Sequence, residues 1–594
     1  VAKWIFRVFA GIGFLVVLLF ASIAAFAIYA GGSSPTEPEK VILTLDFEQP
    51  IVEQNSSSPL DMFSTEEPPT PLIDILHALD VAAADPHLKG VVARFGSIQP
   101  SLSQAQEIRA ALAHFRDTGK PTYAYGTSYG EFGLGNRTYY LASAFENIWL
   151  QPVGAVSLTG LAIQSPFFKG ALDKVGVGAD FTRREEYKSV MEMATETTFT
   201  PPVRENMQSM MNDLADQIES GIAESRKWDA AHVKQLMETG PYTADEALKA
   251  GLVTRIGYAD ELEAELKQKV GSDVKQASVD EYLTYSNGSK ETAKPKVSVA
   301  LITGTGLITD HAVDSDVTGE GIMGADVISK AFDDAAKNKK IKAIIFRIDS
   351  PGGSPSASET IRRAMIHAQK VGKPVFVSMG SVAASGGYWV AMNADHITAE
   401  PGTLTGSIGV VAGKFVLAGL MQKIGVSWDT LSTYGNAAMW SMADGFTPQQ
   451  RARLDAYVDE NYHAFVDNVS AARKIPADTM PSIAKGRVFT GAQAAKNGLV
   501  DDLGGYDVTL MAVRKKLNLK PDDIMNLEPF PPPETATEKL LDLLKKMNGS
   551  SAAFAAALSG WHHLQTRIDP ALLDALSMEP VMARLPASVS GLVR

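Results

Sequence analysis

The 594-residue chain has no cysteine. This excludes disulfides, thiolate metal sites and a cysteine nucleophile, and it fits an oxidising compartment. Positive charge is in deficit, with 55 Lys and Arg against 68 Asp and Glu for a net charge of −13. A nucleic-acid partner would want a basic face, so none is expected. Histidine is sparse, at ten residues, and the adjacent pair His562 and His563 lacks the spacing of a zinc site. Neither a metal nor a cofactor is expected. What remains is ordinary for globular proteins, 45% hydrophobic and 21% charged, at a length that calls for more than one domain.

One long apolar run stands out. Residues 8–30 carry no charge and are long enough to cross a bilayer, which takes about 20 apolar residues. Lys3 and Arg7 precede the run and an acidic, Pro- and Ser-containing stretch comes after it. The positive-inside rule then leaves residues 1–7 in the cytoplasm and places the rest outside it. A cleaved signal peptide is the competing reading; an anchor is favoured because the run exceeds a usual signal core.

Beyond the anchor, strands alternate with helices, the pattern of an α/β fold with a mostly parallel sheet. Strands are expected near 41–47, 90–95 and 122–125, and helices at 72–84, 103–116 and 202–227. In the last of these, Met207, Met210, Met211, Leu214 and Ile218 form a stripe that reads as core or subunit interface. A polar linker is expected at 285–295. The order then begins again, with strands at 296–308, 341–349 and 375–379 and helices at 326–336 and 356–370. Residues 381–389 read as a small-residue turn from strand to helix, with Ser385 exposed on it.

The two halves are one repeat. Residues 90–95 (GVVARF) match 343–348 (AIIFRI) at 343 − 90 = 253, and Gly119-Lys-Pro matches Gly372-Lys-Pro at the same offset. Later matches fall at 249 (Tyr139 with Tyr388) and 247 (Thr243 with Thr490). Tandem domains of one fold are therefore expected: 31–290, an N-terminal repeat, and 291–524, a C-terminal repeat. A tail, 525–594, holds a rigid Pro-rich spacer, an amphipathic helix at 538–547 and a short apolar segment at 552–558.

Duplication makes the differences informative. At offset 249, Ser385 lies opposite Asn136, and Asp349-Ser-Pro-Gly352-Gly353-Ser354 lies opposite a stretch with no glycine pair. Conversely, Lys188 lies opposite Gly435. A nucleophile survives in one half and a candidate base only in the other. Among the histidines, only His396 is close to Ser385 in sequence. His114 and His367 correspond across the repeats, which suggests helix packing. Asp349 reads as a strand-end cap or as orienting the glycine loop.

With these motifs, and with Thr405-Gly-Ser-Ile-Gly409, the chain resembles the long, duplicated bacterial signal peptide peptidases of the protease IV (SppA) type. The resemblance covers essentially the whole chain. It implies a tandem duplication of a crotonase- or Clp-protease-like α/β domain behind one transmembrane helix, assembled as a membrane-anchored homotetramer facing the periplasm. It also implies a Ser/Lys dyad that degrades signal peptides left in the membrane. Carried over by position, Ser385 is the nucleophile, Lys188 the general base and Ser407 the hydroxyl that orients the lysine. By fold analogy the N–H groups of Gly353 and Gly386 form the oxyanion hole. Implied partners are hydrophobic peptides and the bilayer through residues 8–30. The alternatives are a crotonase-class acyl-CoA enzyme and a non-catalytic membrane scaffold.

A serine hydroxyl needs a base, and lysine serves only when neutral, against an ordinary pKa of about 10.4. Burial in an apolar site supplies the necessary lowering. Glu185 and Glu186, beside Lys188, would oppose it unless they face solvent or pair with Arg183 and Arg184.

Overall fold

A computed structural model describes residues 38–54, 69–131, 133, 135–289, 295–312, 321–520, 523–532 and 581–582. The apolar run at 8–30 and the tail segments at 538–547 and 552–558 lie outside the described residues. Among the described residues no helix is long and apolar enough to cross a membrane.

Two parallel sheets organise the chain. The first runs Arg255–Ile256, Asn147–Leu150, Thr122–Gly126, Leu88–Phe95, Val41–Phe47, Lys275–Ala277. In the second, Asp502–Leu503, His396–Ala399, Val375–Ala384, Ile341–Ser350, Val297–Thr305 and Met525–Phe530 stand in the same order. Central strands such as Ile341–Ser350 are apolar on both faces because helices cover both, as parallel sheets require. The repeat extends to helix caps. Ser101 and Ser354, 253 apart, each accept a backbone N–H in the first turn of their helices, Leu102–Arg116 and Pro355–Lys370. The helices Pro201–Arg226 and Pro448–Arg473, 247 apart, both have 26 residues and both end on a left-handed lysine. Met207, Met210, Leu214 and Ile218 are buried in the core of the first repeat.

Several boundaries differ from expectation. The strand before Ser385 does not stop at 379. It runs on through Ala384, because Val382–Ala384 pair with the short strand Leu404–Gly406. The expected linker is helical up to residue 289: the helix Val279–Ser289 packs on Leu72–Ala84, with Tyr282 buried and its hydroxyl 2.9 Å from Asp85 Oδ2. Met525–Phe530 belongs to the second sheet, beside Val297–Thr305, and corresponds to Lys275–Ala277 at 525 − 275 = 250. His114 and His367 are exposed on the last turns of their helices, and His367 faces Asp333 rather than packing.

The repeats join through Gly178–Arg184 of the first, antiparallel to Val410–Val416 of the second, with Arg184 opposite Val410. Val581–Met582 lies at the other edge of Val410–Val416. The helix Leu102–Arg116 also packs on the Val375–Ala384 strand.

Candidate active site

The strand Val375–Ala384, buried along its whole length, ends on Ser385. Ser385 has φ 57° and ψ −116°, a conformation that costs a non-glycine residue of order 1–3 kcal/mol. Its N–H donates to the Gly406 carbonyl at 2.8 Å, which holds the turn. The helix Gly386–Ala391 starts at once, and it starts with glycine for lack of room. A Cβ on Gly386 would sit 2.8 Å from Ser358 Oγ and 2.9 Å from the Gly353 nitrogen.

Lys188 arrives from the first repeat. The pairing of Gly178–Arg184 with Val410–Val416 delivers the chain to the second repeat, and the Tyr187 N–H donates to the Lys485 carbonyl at 3.1 Å. Gly486, at φ +81°, lets the two backbones meet, since a Cβ there would lie 2.6 Å from the Lys188 nitrogen. The amine then reaches across the inter-repeat boundary. Lys188 Nζ lies 2.6 Å from Ser385 Oγ, 3.1 Å from Ser407 Oγ and 3.0 Å from the Ser407 carbonyl oxygen. All three residues are buried. Of the residues expected at the site, the structure thus brings Ser385, Lys188 and Ser407 within hydrogen-bonding distance.

Burial is the physical cause that matters for the amine: it pushes Lys188 down to about 7. The neighbouring carboxylates do not reverse this. Glu186 pairs with Lys485 at 2.8 Å, not with the adjacent arginines. Arg183 pairs instead with the buried Glu192, and Arg184 with Asp455 and Asp459. Lys485, Asp455 and Asp459 come from elements remote in sequence, which adjacency along the chain cannot disclose.

Gly353 and Gly386 stand side by side. The Gly386 N–H is the first of its helix and has no intrahelical acceptor. The bridge between Ile308 and Gly353 uses the N–H groups of Ile308 and Ser354 and leaves that of Gly353 out. Two backbone donors thus flank the serine. His396, by contrast, lies against Asp502 at the far end of its strand.

The corresponding place in the first repeat is stitched shut. Asn136, in the position of Ser385, donates Nδ2–H to the Gly160 carbonyl at 2.7 Å. Its Oδ1 accepts the N–H groups of Thr159 and Gly160 at 2.9 and 3.1 Å. A second group of residues is not evident from sequence. Glu53 and Glu107 of the first repeat clamp the buried Arg347 of the second, at 2.8 and 2.6 Å. The one available signal is that Arg347, in an otherwise apolar strand, must find a countercharge.

A nucleophile-bearing turn, a buried amine against it and two backbone donors form the constellation of acyl transfer. The sequence profile of peptidase family S49 matches residues 114–273 and 367–520, one segment in each repeat. The chain belongs to peptidase family S49. It is 33% identical over 464 residues to "Protease 4" of Salmonella typhi, covering 76% of this chain and 72% of that protein. It is 32% identical over 467 residues to "Protease 4" of Haemophilus influenzae, covering 76% and 73%. Over 511 residues it is 30% identical to "Serine protease SPPA, chloroplastic" of Arabidopsis thaliana, covering 85% and 72%. The S49 chain is therefore a serine protease, with an α/β fold duplicated in tandem.

Proposed function

We propose that this S49 protease is a membrane-anchored endopeptidase that works through a Ser385–Lys188 dyad and degrades signal peptides left in the bilayer. The observation that carries the reading is the 2.6 Å approach of Lys188 Nζ to Ser385 Oγ in a buried site. Neutral Lys188 takes the hydroxyl proton as Oγ attacks the scissile carbonyl. Ser407 holds the amine on line, and the Gly353 and Gly386 N–H groups receive the oxyanion. The lysine ammonium then protonates the leaving amine. Water, deprotonated by the same lysine, releases the acyl group. An acyl-CoA enzyme of the crotonase class has no use for a buried lysine against a serine, nor does a scaffold.

The anchor at 8–30 would hold the protease, facing the periplasm, at the surface where hydrophobic peptides remain. A relative named "Putative signal peptide peptidase SppA" in Enterococcus faecium, 32% identical over 189 residues, supports this substrate class. The test is hydrolysis of a hydrophobic signal peptide by the detergent-solubilised full chain, beside Ser385→Ala and Lys188→Met. Cleavage by wild type and none by either folded variant is expected. Near-full activity in Lys188→Met would overturn the dyad, and an inert wild type would overturn the substrate class.

The homotetramer implied by the resemblance has support in an interface used once and left open once. Within the chain, Gly176 packs on Gly419, where a Cβ would meet backbone at 2.6 Å. Their repeat counterparts, Gly425 (176 + 249) and Gly170 (419 − 249), have nothing within 4 Å. Likewise Gly178–Arg184 pairs with Val410–Val416, while the counterparts 427–433 and 161–167 form no strand. Residues 422–437 are exposed throughout, including Trp428 at 53%, Tyr434 at 81% and Leu431 at 97%. Segment 424–434 of one copy therefore fits segment 161–170 of the next. A head-to-tail contact gives a ring where its rotation closes, and the proposed tetramer is such a ring.

A further inference from the structure

We propose that Asp349 is a positioning residue for Ser385: its carboxylate fixes a bulge that aims the end of the nucleophile strand. This rests on the reading of Ser385 as the nucleophile. The strands Ile341–Ser350 and Val375–Ala384 pair in regular register up to Ile348 opposite Met379 and resume at Ser350 opposite Ala383. Asp349 alone therefore faces Gly380, Ser381 and Val382. A bulge next to a reactive residue bends the strand and re-aims the side chains beyond it. Here Ser385 comes three residues after Val382.

Each bulge residue is held by a different element. Asp349 Oδ1 accepts the Val382 N–H at 2.9 Å. Thr403 Oγ1 donates to the Gly380 carbonyl at 2.7 Å. Ser381 Oγ bonds Ser101 Oγ of the first repeat at 2.7 Å, with Ser103 at 3.3 Å. The Asp349 main chain meanwhile accepts the Gly306 N–H at 2.8 Å, just before the turn to Gly352 and Gly353. One residue thus joins the strand that carries the serine to the loop that carries an oxyanion donor. The charged groups facing it are Arg347 on its own strand, Glu53 from the loop before residue 55, and Glu107 from Leu102–Arg116.

The duplication supplies an internal control. The first repeat pairs Leu88–Phe95 with Thr122–Gly126 in the same register, and its ladder ends at Phe95 opposite Gly126, the counterpart of Ile348 opposite Met379, just short of the place of the bulge. Gly96 stands in the position of Asp349 (349 − 253 = 96), and Asn136 in that of Ser385. The repeat without a nucleophile lacks the carboxylate, and its strands end before the place of the bulge.

Burial, with Glu53 facing it, raises the Asp349 carboxyl to about 7, so a neutral amide that keeps the acceptor oxygen is a close substitute. The experiment measures kcat and KM for peptide hydrolysis by the full chain carrying Asp349→Ala or Asp349→Asn. Thermal melting and the rate of covalent labelling by a fluorophosphonate are monitored in parallel. Asp349→Ala is expected to lower kcat and the labelling rate about 10- to 100-fold with KM within about twofold. Asp349→Asn restores both to within about threefold of wild type. Wild-type kcat in Asp349→Ala overturns the proposal, as does an Asp349→Asn protein that melts normally yet is equally slow. Should Asp349→Ala not fold, the kcat of Asp349→Asn decides alone. Ser385→Ala runs beside them, and residual hydrolysis there would indict the nucleophile assignment instead.

Discussion

If Lys188 is the general base, the pH dependence of the protease should carry its signature. An ordinary lysine, at 10.5, is neutral in about one molecule in 3,000 at pH 7. At about 7, where burial places Lys188, half the molecules hold the amine ready. The gap corresponds to about 5 kcal/mol of differential solvation. The assay is kcat/KM for a fluorogenic hydrophobic peptide in detergent, from about pH 5.5 to about pH 9.5. The expected profile rises about tenfold per pH unit below about 7 and levels above it. The same displacement has a stability consequence whose sign is fixed. Between about 7 and about 10.5 the unfolded chain binds more protons than the folded one, so stability rises with pH across that window. Below about 7 the penalty of the buried charge is fully present. The melting temperature of Lys188→Met minus that of wild type should therefore fall as pH climbs from 7 to 10. An activity inflection near 10, together with a pH-independent melting difference, would refute the claim that burial neutralises this lysine.

Ser407→Ala leaves the Ser407 carbonyl as a partner for the amine but removes the hydroxyl. We expect kcat to fall about tenfold with KM little changed, measured on the same peptide. Leu431→Asp puts a charge on the exposed segment proposed to meet the next copy. Light scattering after gel filtration should show a smaller assembly, while fluorophosphonate labelling of Ser385 persists because the site forms within one chain. An unchanged mass would remove 424–434 from the interface.

Much of this architecture was legible in the chain. The repeat offsets of 253, 249 and 247 anticipate two sheets with one strand order, because the apolar runs that form buried parallel strands recur at those spacings. Ser385 was legible as the residue that breaks the repeat beside a glycine pair, and Lys188 as its complement in the other half. Less legible were the places where partners come from afar. Residues 381–384 look like a turn because small residues favour one. They are a strand because Leu404–Gly406 lies alongside. The 285–295 stretch reads as a linker from its polarity, yet its first part is helical, in a helix anchored by buried Tyr282. Glu186 follows Arg183 and Arg184 within three residues and pairs with Lys485 instead.

Composition, periodicity and duplication thus determined the fold class and the tandem repeat, and they singled out Ser385 and Lys188 as positions where the two halves differ. Those are local or additive properties, set by what each segment must bury. Only the tertiary structure decided that an amine and a hydroxyl 197 residues apart lie 2.6 Å from each other. It alone sealed that pair from water and closed the equivalent place in the first repeat with Asn136. Proximity and desolvation belong to the packed chain, because each requires surfaces from both repeats at once.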